Sequence, residues 1–208
     1  MIFHFFKIAW RNLIQNRLIS SLNILGLSIG IAATLLILQY VEYEKSFDRF
    51  YPNAEHVYRL TTYRNWSGKE VHMATTPPPL AETIVDKVPG VEAACRVYKW
   101  SDFTMRPADN RDKVFRETNV YAVDESFFQV FGNMLLAGDP ATALRDPVSA
   151  VLTQSAAIRY FGDAASDPQQ ILGRTILGGK DAGTTWKVTG IVKDQPANAH
   201  FQFEYLIS

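Results

Sequence analysis

A long apolar segment near the N-terminus dominates the pattern of hydrophobic and polar positions. Leu18 to Val41 (LISSLNILGLSIGIAATLLILQYV) spans 24 residues without a formal charge. A helix rises about 1.5 Å per residue, and about 20 apolar residues cross a hydrocarbon core of about 30 Å. The pattern therefore predicts a transmembrane helix over residues 18–45.

The charges that flank this segment predict its orientation. Bases precede the span and acids follow it: Lys7, Arg11 and Arg17 before, Glu42, Glu44 and Asp48 after. Segments rich in lysine and arginine next to a membrane span are usually retained in the cytoplasm. The N-terminus is therefore predicted to be cytoplasmic and residues from about 43 onward extracytoplasmic. A cleaved signal peptide is the alternative, but its apolar core is about 7–15 residues long and precedes a small-residue cleavage site. This span is longer and ends in Leu-Gln-Tyr-Val.

The segment before the span has its own two-sided pattern. At about 100° per residue, one face is polar and the other apolar: His4, Lys7, Arg11 and Gln15 against Phe3, Phe6, Trp10, Leu13 and Ile14. Residues 1–17 are therefore predicted to form a helix on the cytoplasmic membrane surface. Its contacts with lipid would be Phe3, Phe6 and Trp10 in the headgroup boundary, with Lys7 and Arg11 toward anionic lipid. A plain anchor explains the charges but not the width of the aromatic face.

Small residues follow one face of the predicted span. Gly26 and Gly30 form a G-x-x-x-G pair that Ala33 and Thr34 continue. Such a strip lets a second membrane helix approach closely. We therefore predict helix packing at these four positions, although small residues are common in membrane helices generally.

Four aromatic residues lie between the span and the first predicted strand: Tyr43, Phe47, Phe50 and Tyr51. One interpretation is a helix-domain junction in which these rings dock the end of the span against the following domain. The other is an interfacial belt that anchors the span among the headgroups. Both interpretations remain open from the residues alone.

Residues 46–208 alternate strand and helix signals. A hairpin is predicted from 57–64 and 70–75 around Asn65-Trp66-Ser67-Gly68, and helices at 79–88, 125–131 and 153–161. Further strands are predicted at 95–105, 114–123, 149–152, 171–177 and 186–193, with Asp124 and Thr153 as helix N-caps. This order predicts an α+β fold with short helices on a mixed or antiparallel sheet.

Composition and motifs exclude several function classes. The 21 basic and 21 acidic residues balance, so no nucleic-acid partner is predicted. Cys95 has no second cysteine with which to form a disulfide and is predicted to be a small buried residue.

No catalytic, metal or cofactor site is predicted either. The segment GRTILGGK, from Gly173 to Lys180, is similar to a phosphate loop, but the extra Gly179 and the following Asp181 break the motif and favour a β-turn. The four histidines lack metal-ligand spacing, and Ser155 has no G-x-S-x-G elbow around it.

Five segments together resemble the MacB-type permease subunits of ABC transporters, whose membrane part is FtsX-like. They are 6–30 (FKIAWRNL, then NR and LNILGLSIG), 46–59 (SFDRFYPN and HVYR), 123–131 (VDESFFQVF), 136–162 (LAGDPATAL and VLTQSAAIRYFG) and 188–194 (VTGIVKD). The likeness covers nearly the whole chain, and none of the segments is a catalytic motif.

The resemblance implies an inner-membrane subunit with one span followed by a periplasmic core domain of porter-like and smaller inserted lobes, here 46–208. It implies two partners, a cytoplasmic ABC ATPase and a second permease subunit, and a role in export or lipoprotein extraction. The family has three further spans after this domain, so a chain ending at Ser208 is expected to be part of a longer permease. A single-pass membrane-anchored sensor or binding module is the alternative.

Overall fold

The structure is a computed structural model that describes residues 2–132, 134–179 and 183–208. It divides into two compact units. The first ends at Phe47 and the second begins at Asp48. The first unit contains two helices, α1 (Ile2–Gln15) and α2 (Arg17–Lys45). Both helices were predicted from the hydrophobic pattern.

Helix α2 has the dimensions of a membrane span. It contains 29 residues, has a mean hydropathy of 2.1 over its most apolar stretch, and buries none of that stretch inside the protein. Within the described part of the chain it is the one helix long and apolar enough to cross a membrane, judged by length and composition. At about 1.5 Å per residue it is roughly 43 Å long, which exceeds the hydrocarbon thickness.

The second unit is an α+β domain. Its strands are β1 (Thr62–Trp66), β2 (Lys69–Met73), β3 (Val97–Trp100), β4 (Phe103–Pro107), β5 (Phe115–Glu117), β6 (Val120–Val123), β7 (Leu135–Gly138), β8 (Ser149–Thr153), β9 (Thr175–Gly178), β10 (Thr184–Val192) and β11 (Tyr205–Ile207). Its helices are α3 (Leu80–Lys87), α4 (Phe127–Phe131) and α5 (Gln154–Phe161), with short 3-10 turns at Ala54–His56, Gly162–Ser166 and Pro168–Ile171.

The strands form two sheets. β1 and β2 pair only with each other among the described strands, and the other nine form one mixed sheet in the order β3-β6-β11-β8-β10-β9-β4-β5, with β7 also on β10. The pairs β6/β11 and β8/β10 are parallel and the remaining pairs antiparallel. Only two residues join β3 to β4 although these strands lie near opposite ends of the order. The sheet therefore curls, and Trp100 reaches Phe103 with ring centroids 5.3 Å apart.

The large sheet is covered on both faces. In β8, Ala150 and Leu152 belong to one buried cluster and Val151 to another, and β11 alternates in the same way. The first cluster contains α5 and the second contains α4. Because both faces are buried, the central strands are apolar at consecutive positions instead of alternating with polar residues. The fold class predicted from the sequence is confirmed.

Several predicted boundaries are wrong, and the reason is local backbone geometry. The predicted strand 95–105 is two strands separated at Asp102, whose φ is +57°. The predicted strand 114–123 likewise divides into β5 and β6, and 57–61 is irregular, so the hairpin begins at Thr62. Asp124 does not cap α4, whose N-cap position is Ser126; its carboxylate instead accepts hydrogen bonds from Arg96.

Other local predictions are confirmed. The Thr153 side chain accepts a hydrogen bond from the Ala156 amide at 3.3 Å and caps α5, and Gly162 ends that helix. The α3 helix follows the three prolines, with Pro79 at the N-cap. The sequence pattern missed β7 and β11, which are short, and began β9 too early because Pro168–Ile171 forms a 3-10 turn.

Candidate functional site

The chain enters the second unit at a corner made by Asp48. The Asp48 amide donates to the Asn198 carbonyl at 3.0 Å, and the Asp48 carboxylate accepts from the His200 amide at 2.9 Å. The second carboxylate oxygen lies 2.7 Å from His200 Nδ1. Asp48 has a φ of +58°, a left-handed conformation that is uncommon for residues other than glycine. Three hydrogen bonds therefore hold the first residue of the domain to a segment that precedes β11.

Aromatic rings continue from this corner into the core. Tyr51 is 4% exposed, and its ring lies 4.2 Å from that of Phe50 and 5.3 Å from that of Phe131. Phe131 contacts Phe127 at 4.8 Å, and Phe127 contacts Phe203 at 5.8 Å. Burial, with a smaller contribution from the Asp48 charge, raises the pKa of the Tyr51 phenol. Tyr51 is thus a core residue of the domain.

The four aromatic residues of the predicted junction belong to different units. Tyr43 and Phe47 contact each other in the first unit, with ring centroids 5.4 Å apart. Phe50 and Tyr51 lie in the second unit. The roles of Asp48 and His200 were not predicted, because in the sequence they are only a charge beside the span and an isolated histidine. No local signal could have paired them, because they are 152 residues apart.

A shallow cleft lies beside the entry segment. Its volume is about 310 Å³, and its walls include Phe50, Met134, Lys193 and Asp194. Both Asp194 oxygens are engaged by Ser155, from its amide at 3.1 Å and its hydroxyl at 2.7 Å. The carboxylate therefore holds the start of α5 in place.

The residues considered for chemistry lie in structural environments. Cys95 is half-buried, less than was predicted, and this partial burial raises the pKa of its thiol to about 12, which favours the protonated form at neutral pH. Among the described residues, no three histidine, cysteine or acidic side chains gather as metal ligands would. In the segment that is similar to a phosphate loop, Thr175–Gly178 is strand β9, while Lys180 and Asp181 lie outside the described residues.

Helix α2 presents the predicted small residues on its surface. Gly26, Gly30 and Thr34 line one shallow groove together with larger aliphatic residues. The Thr34 hydroxyl donates to the Gly30 carbonyl at 2.9 Å, so this polar group is satisfied inside its own helix. Ala33 is exposed on the same helix. A Cβ added at either glycine would meet nothing within 4 Å.

The residues predicted to contact the membrane surface are all exposed on α1. Phe3, Phe6 and Trp10 are 92%, 71% and 68% exposed, and the side chains of Lys7 and Arg11 are also exposed. Aromatic side chains left this open on a helix are suited to the headgroup region. Their contact with lipid stays a prediction.

Most of the chain matches one known protein family. Residues 20–207 match the family model described as the MacB-like periplasmic core domain. The chain belongs to this family. The resemblance predicted from its five segments is confirmed. A MacB-like periplasmic core domain that follows a helix of membrane-spanning length indicates a membrane-anchored extracytoplasmic domain of the ABC transporter permease type. No curated protein matches the chain.

One solved structure shares the fold of this chain, and two others show weaker similarity to it. A domain of a protein described as a permease from Porphyromonas gingivalis is 23% identical with a TM-score of 0.57, covering 71% of this chain and 59% of that chain. The periplasmic region of MacB from Actinobacillus actinomycetemcomitans is 19% identical, with a TM-score of 0.44 and coverages of 61% and 52%. The extracellular domain of the ABC-type transporter YknZ from Gram-positive bacteria is 16% identical, with a TM-score of 0.41 and coverages of 60% and 58%. The aligned region thus spans less than two thirds of each of these chains.

Proposed function

We propose that the protein acts in an ABC transporter permease subunit, and that it transmits ATP-driven motion through α2 to its extracytoplasmic domain. The motion would serve export of a substrate or extraction of a lipoprotein. One observation carries the proposal: the family match begins within α2 and ends in β11, so the span and the folded domain belong to one family unit. The domain itself performs no catalysis in this proposal.

Three partners follow from the proposal. A cytoplasmic ABC ATPase supplies the motion, a second permease subunit completes the membrane part, and membrane lipid surrounds α1 and α2. The groove at Gly26 and Gly30 supports a close helix-helix contact, because backbones can approach where no side chain intervenes. The balanced charge of the chain gives no reason to add a nucleic acid.

The geometry around Asp48 supports a mechanical role. Only Ser46 and Phe47 separate the end of α2 from Asp48, and a link this short absorbs little movement. Asp48 is held to the His200 segment, which leads into β11 near the middle of the large sheet. Movement that reaches Asp48 along the chain would therefore be passed to the central strands. Tyr43 and Phe47 could also act at the membrane interface, which is compatible with this role.

The test changes the stiffness of the connection without changing the domain. A flexible Gly-Ser segment is inserted after Lys45 in the full-length permease, and transport and ATP hydrolysis are measured together. The same insertion after Asn110, in an exposed turn between β4 and β5, is the control. We expect the insertion after Lys45 to abolish transport while ATP hydrolysis continues, and the control to retain both activities. Unimpaired transport after the Lys45 insertion would rule out the transmission role.

A further inference from the structure

The hairpin β1–β2 is unusual in how little of the domain covers it. All of residues 52–102 are described, and none of them is buried. The hairpin forms a two-stranded sheet of its own, and such a ribbon is marginally stable in water without further strands or a packed face. Trp66, next to its turn, is 70% exposed. Contact with another surface would stabilise such a hairpin.

The register of the hairpin sorts its side chains into two different faces. Trp66 is directly opposite Lys69, and Arg64 is opposite Val71. Because directly opposed residues share a face and faces alternate along a strand, these four residues lie on one side. We call this side the Trp66 face. It carries two cations, an indole and a valine, and all four side chains are exposed.

The other side of the hairpin has a different chemistry. Tyr63 opposes His72 with stacked rings 4.3 Å apart, and Asn65 opposes Glu70. The carboxylate of the hairpin strands is therefore on this side, away from Arg64 and Lys69. The Trp66 face keeps its positive charge uncompensated by any residue of the two strands.

We propose that the Trp66 face binds an anionic phospholipid surface. An indole and the long stems of arginine and lysine suit the boundary between headgroups and acyl chains, and each cation near an anionic bilayer adds about fivefold to binding. Because α2 is long and apolar enough to anchor the chain in a bilayer, the domain that carries the hairpin is tethered to a lipid surface. A stable protein partner typically needs about 20–30 residues on each side, and the Trp66 face offers far fewer. This contact does not depend on the transport role.

The test places a probe at the hairpin turn. Cys95 is replaced by Ala, and Ser67→Cys is labelled with an environment-sensitive fluorophore in the full chain, reconstituted in nanodiscs of phosphatidylcholine alone or mixed with phosphatidylglycerol. Quenching by lipid-linked nitroxide reports contact with the bilayer. We expect quenching in the phosphatidylglycerol nanodiscs and little in phosphatidylcholine.

Charge variants decide whether the Trp66 face is responsible. Arg64→Gln with Lys69→Gln should lower the ratio of quenched to unquenched label by about fivefold for each cation removed, and Trp66→Ala should lower it as well. The matched control, Lys87→Gln with Arg111→Gln, removes the same charge from exposed positions outside the hairpin and should change nothing. A label that stays in water in both lipids, or is quenched equally in both regardless of the variants, overturns the proposal. Shielding that requires an added soluble protein would also overturn it and identify a protein partner instead.

Discussion

The guanidinium of Arg159 lies 2.9 Å from both carboxylate oxygens of Glu117. Glu117 is 4% exposed, and it also accepts hydrogen bonds from the hydroxyls of Tyr160 and Tyr205, each at 3.0 Å. Arg159 reaches Glu204 at 2.9 Å as well. These contacts join β5, α5 and the segment leading into β11. A buried charge satisfied on every side fixes how these three elements pack.

Removing Arg159 should destabilise the domain more than removing an exposed arginine. Arg159→Gln leaves the Glu117 charge buried with only hydroxyl donors, and we expect a loss of about 2–4 kcal/mol in the free energy of unfolding, below the largest values because the arginine side chain is partly exposed. Arg116→Gln, which breaks the exposed pair with Asp102, is the control and should lose about 0–1 kcal/mol. Urea unfolding of both variants measures the difference. Equal losses would show that the buried pair adds nothing.

Stability should fall at alkaline pH. Burial raises the pKa values of Tyr51, Tyr160 and Tyr205 in the folded state. The folded state then holds protons that the unfolded state releases above about pH 10, so stability is fully present below that pH and declines as pH rises, by about 1.4 kcal/mol per pH unit for each tyrosine. Urea midpoints measured from neutral to alkaline pH, with phenolate absorbance, check this. Tyr51→Phe should make the decline shallower, and an unchanged slope would contradict the assignment of Tyr51.

Gly138 should tolerate no side chain. Its φ is +99°, and an added Cβ would lie 2.5 Å from the Thr189 carbonyl oxygen and 3.0 Å from the Gly190 Cα. Gly162 also has a positive φ, of +62°, but an added Cβ meets nothing within 4 Å. Gly162→Ala should therefore lose about 1–3 kcal/mol from backbone strain alone, and Gly138→Ala should lose about 1–3 kcal/mol more from overpacking against β10. Thermal unfolding of the two variants separates the cost of backbone strain from the cost of overpacking. Similar melting temperatures would mean that the sheet shifts at Gly138 to accommodate the added methyl group.

The N-terminus should be cytoplasmic and the domain extracytoplasmic. The asymmetry of the charges around the span predicts this orientation. An introduced cysteine at the exposed Asn110, with Cys95 replaced by Ala, should react with a membrane-impermeant reagent added outside the inner membrane of intact spheroplasts. A cysteine at His4 is the matched control and should react only after that membrane is broken. The reverse pattern of labelling would contradict the predicted topology.

Bulky residues should disturb association through α2. Gly26→Ile with Gly30→Ile fills the groove that these glycines open, and we expect association of the helix in membranes to weaken by about 1–3 kcal/mol. Leu25→Ile with Ile29→Leu changes shape elsewhere on the helix without adding volume and is the control. Förster transfer between labelled copies, or between this helix and the rest of the permease, measures association. No change in the glycine variant would mean that this face contacts only lipid.

The sequence by itself determined the elements whose signals are local. The apolar run of α2, the Thr153 cap with Gly162 after α5, and the turn of the hairpin at Ser67 and Gly68 depend on residues a few positions apart. Each was predicted because backbone hydrogen bonding and the hydrophobic period act within one element. The family resemblance likewise came from contiguous segments.

Only the tertiary structure decided which distant residues meet. The strand β11 is three apolar residues long, and it becomes a strand because β6 and β8 pair with it from both sides. The pairing of Asp48 with His200 joins residues 152 positions apart. In the sequence, Glu117 cannot be distinguished from an acid on the surface. Its charge can be buried only because hydroxyl groups of other elements donate hydrogen bonds to the carboxylate. The curl of the sheet brings those donors together, and no local pattern in the chain encodes it.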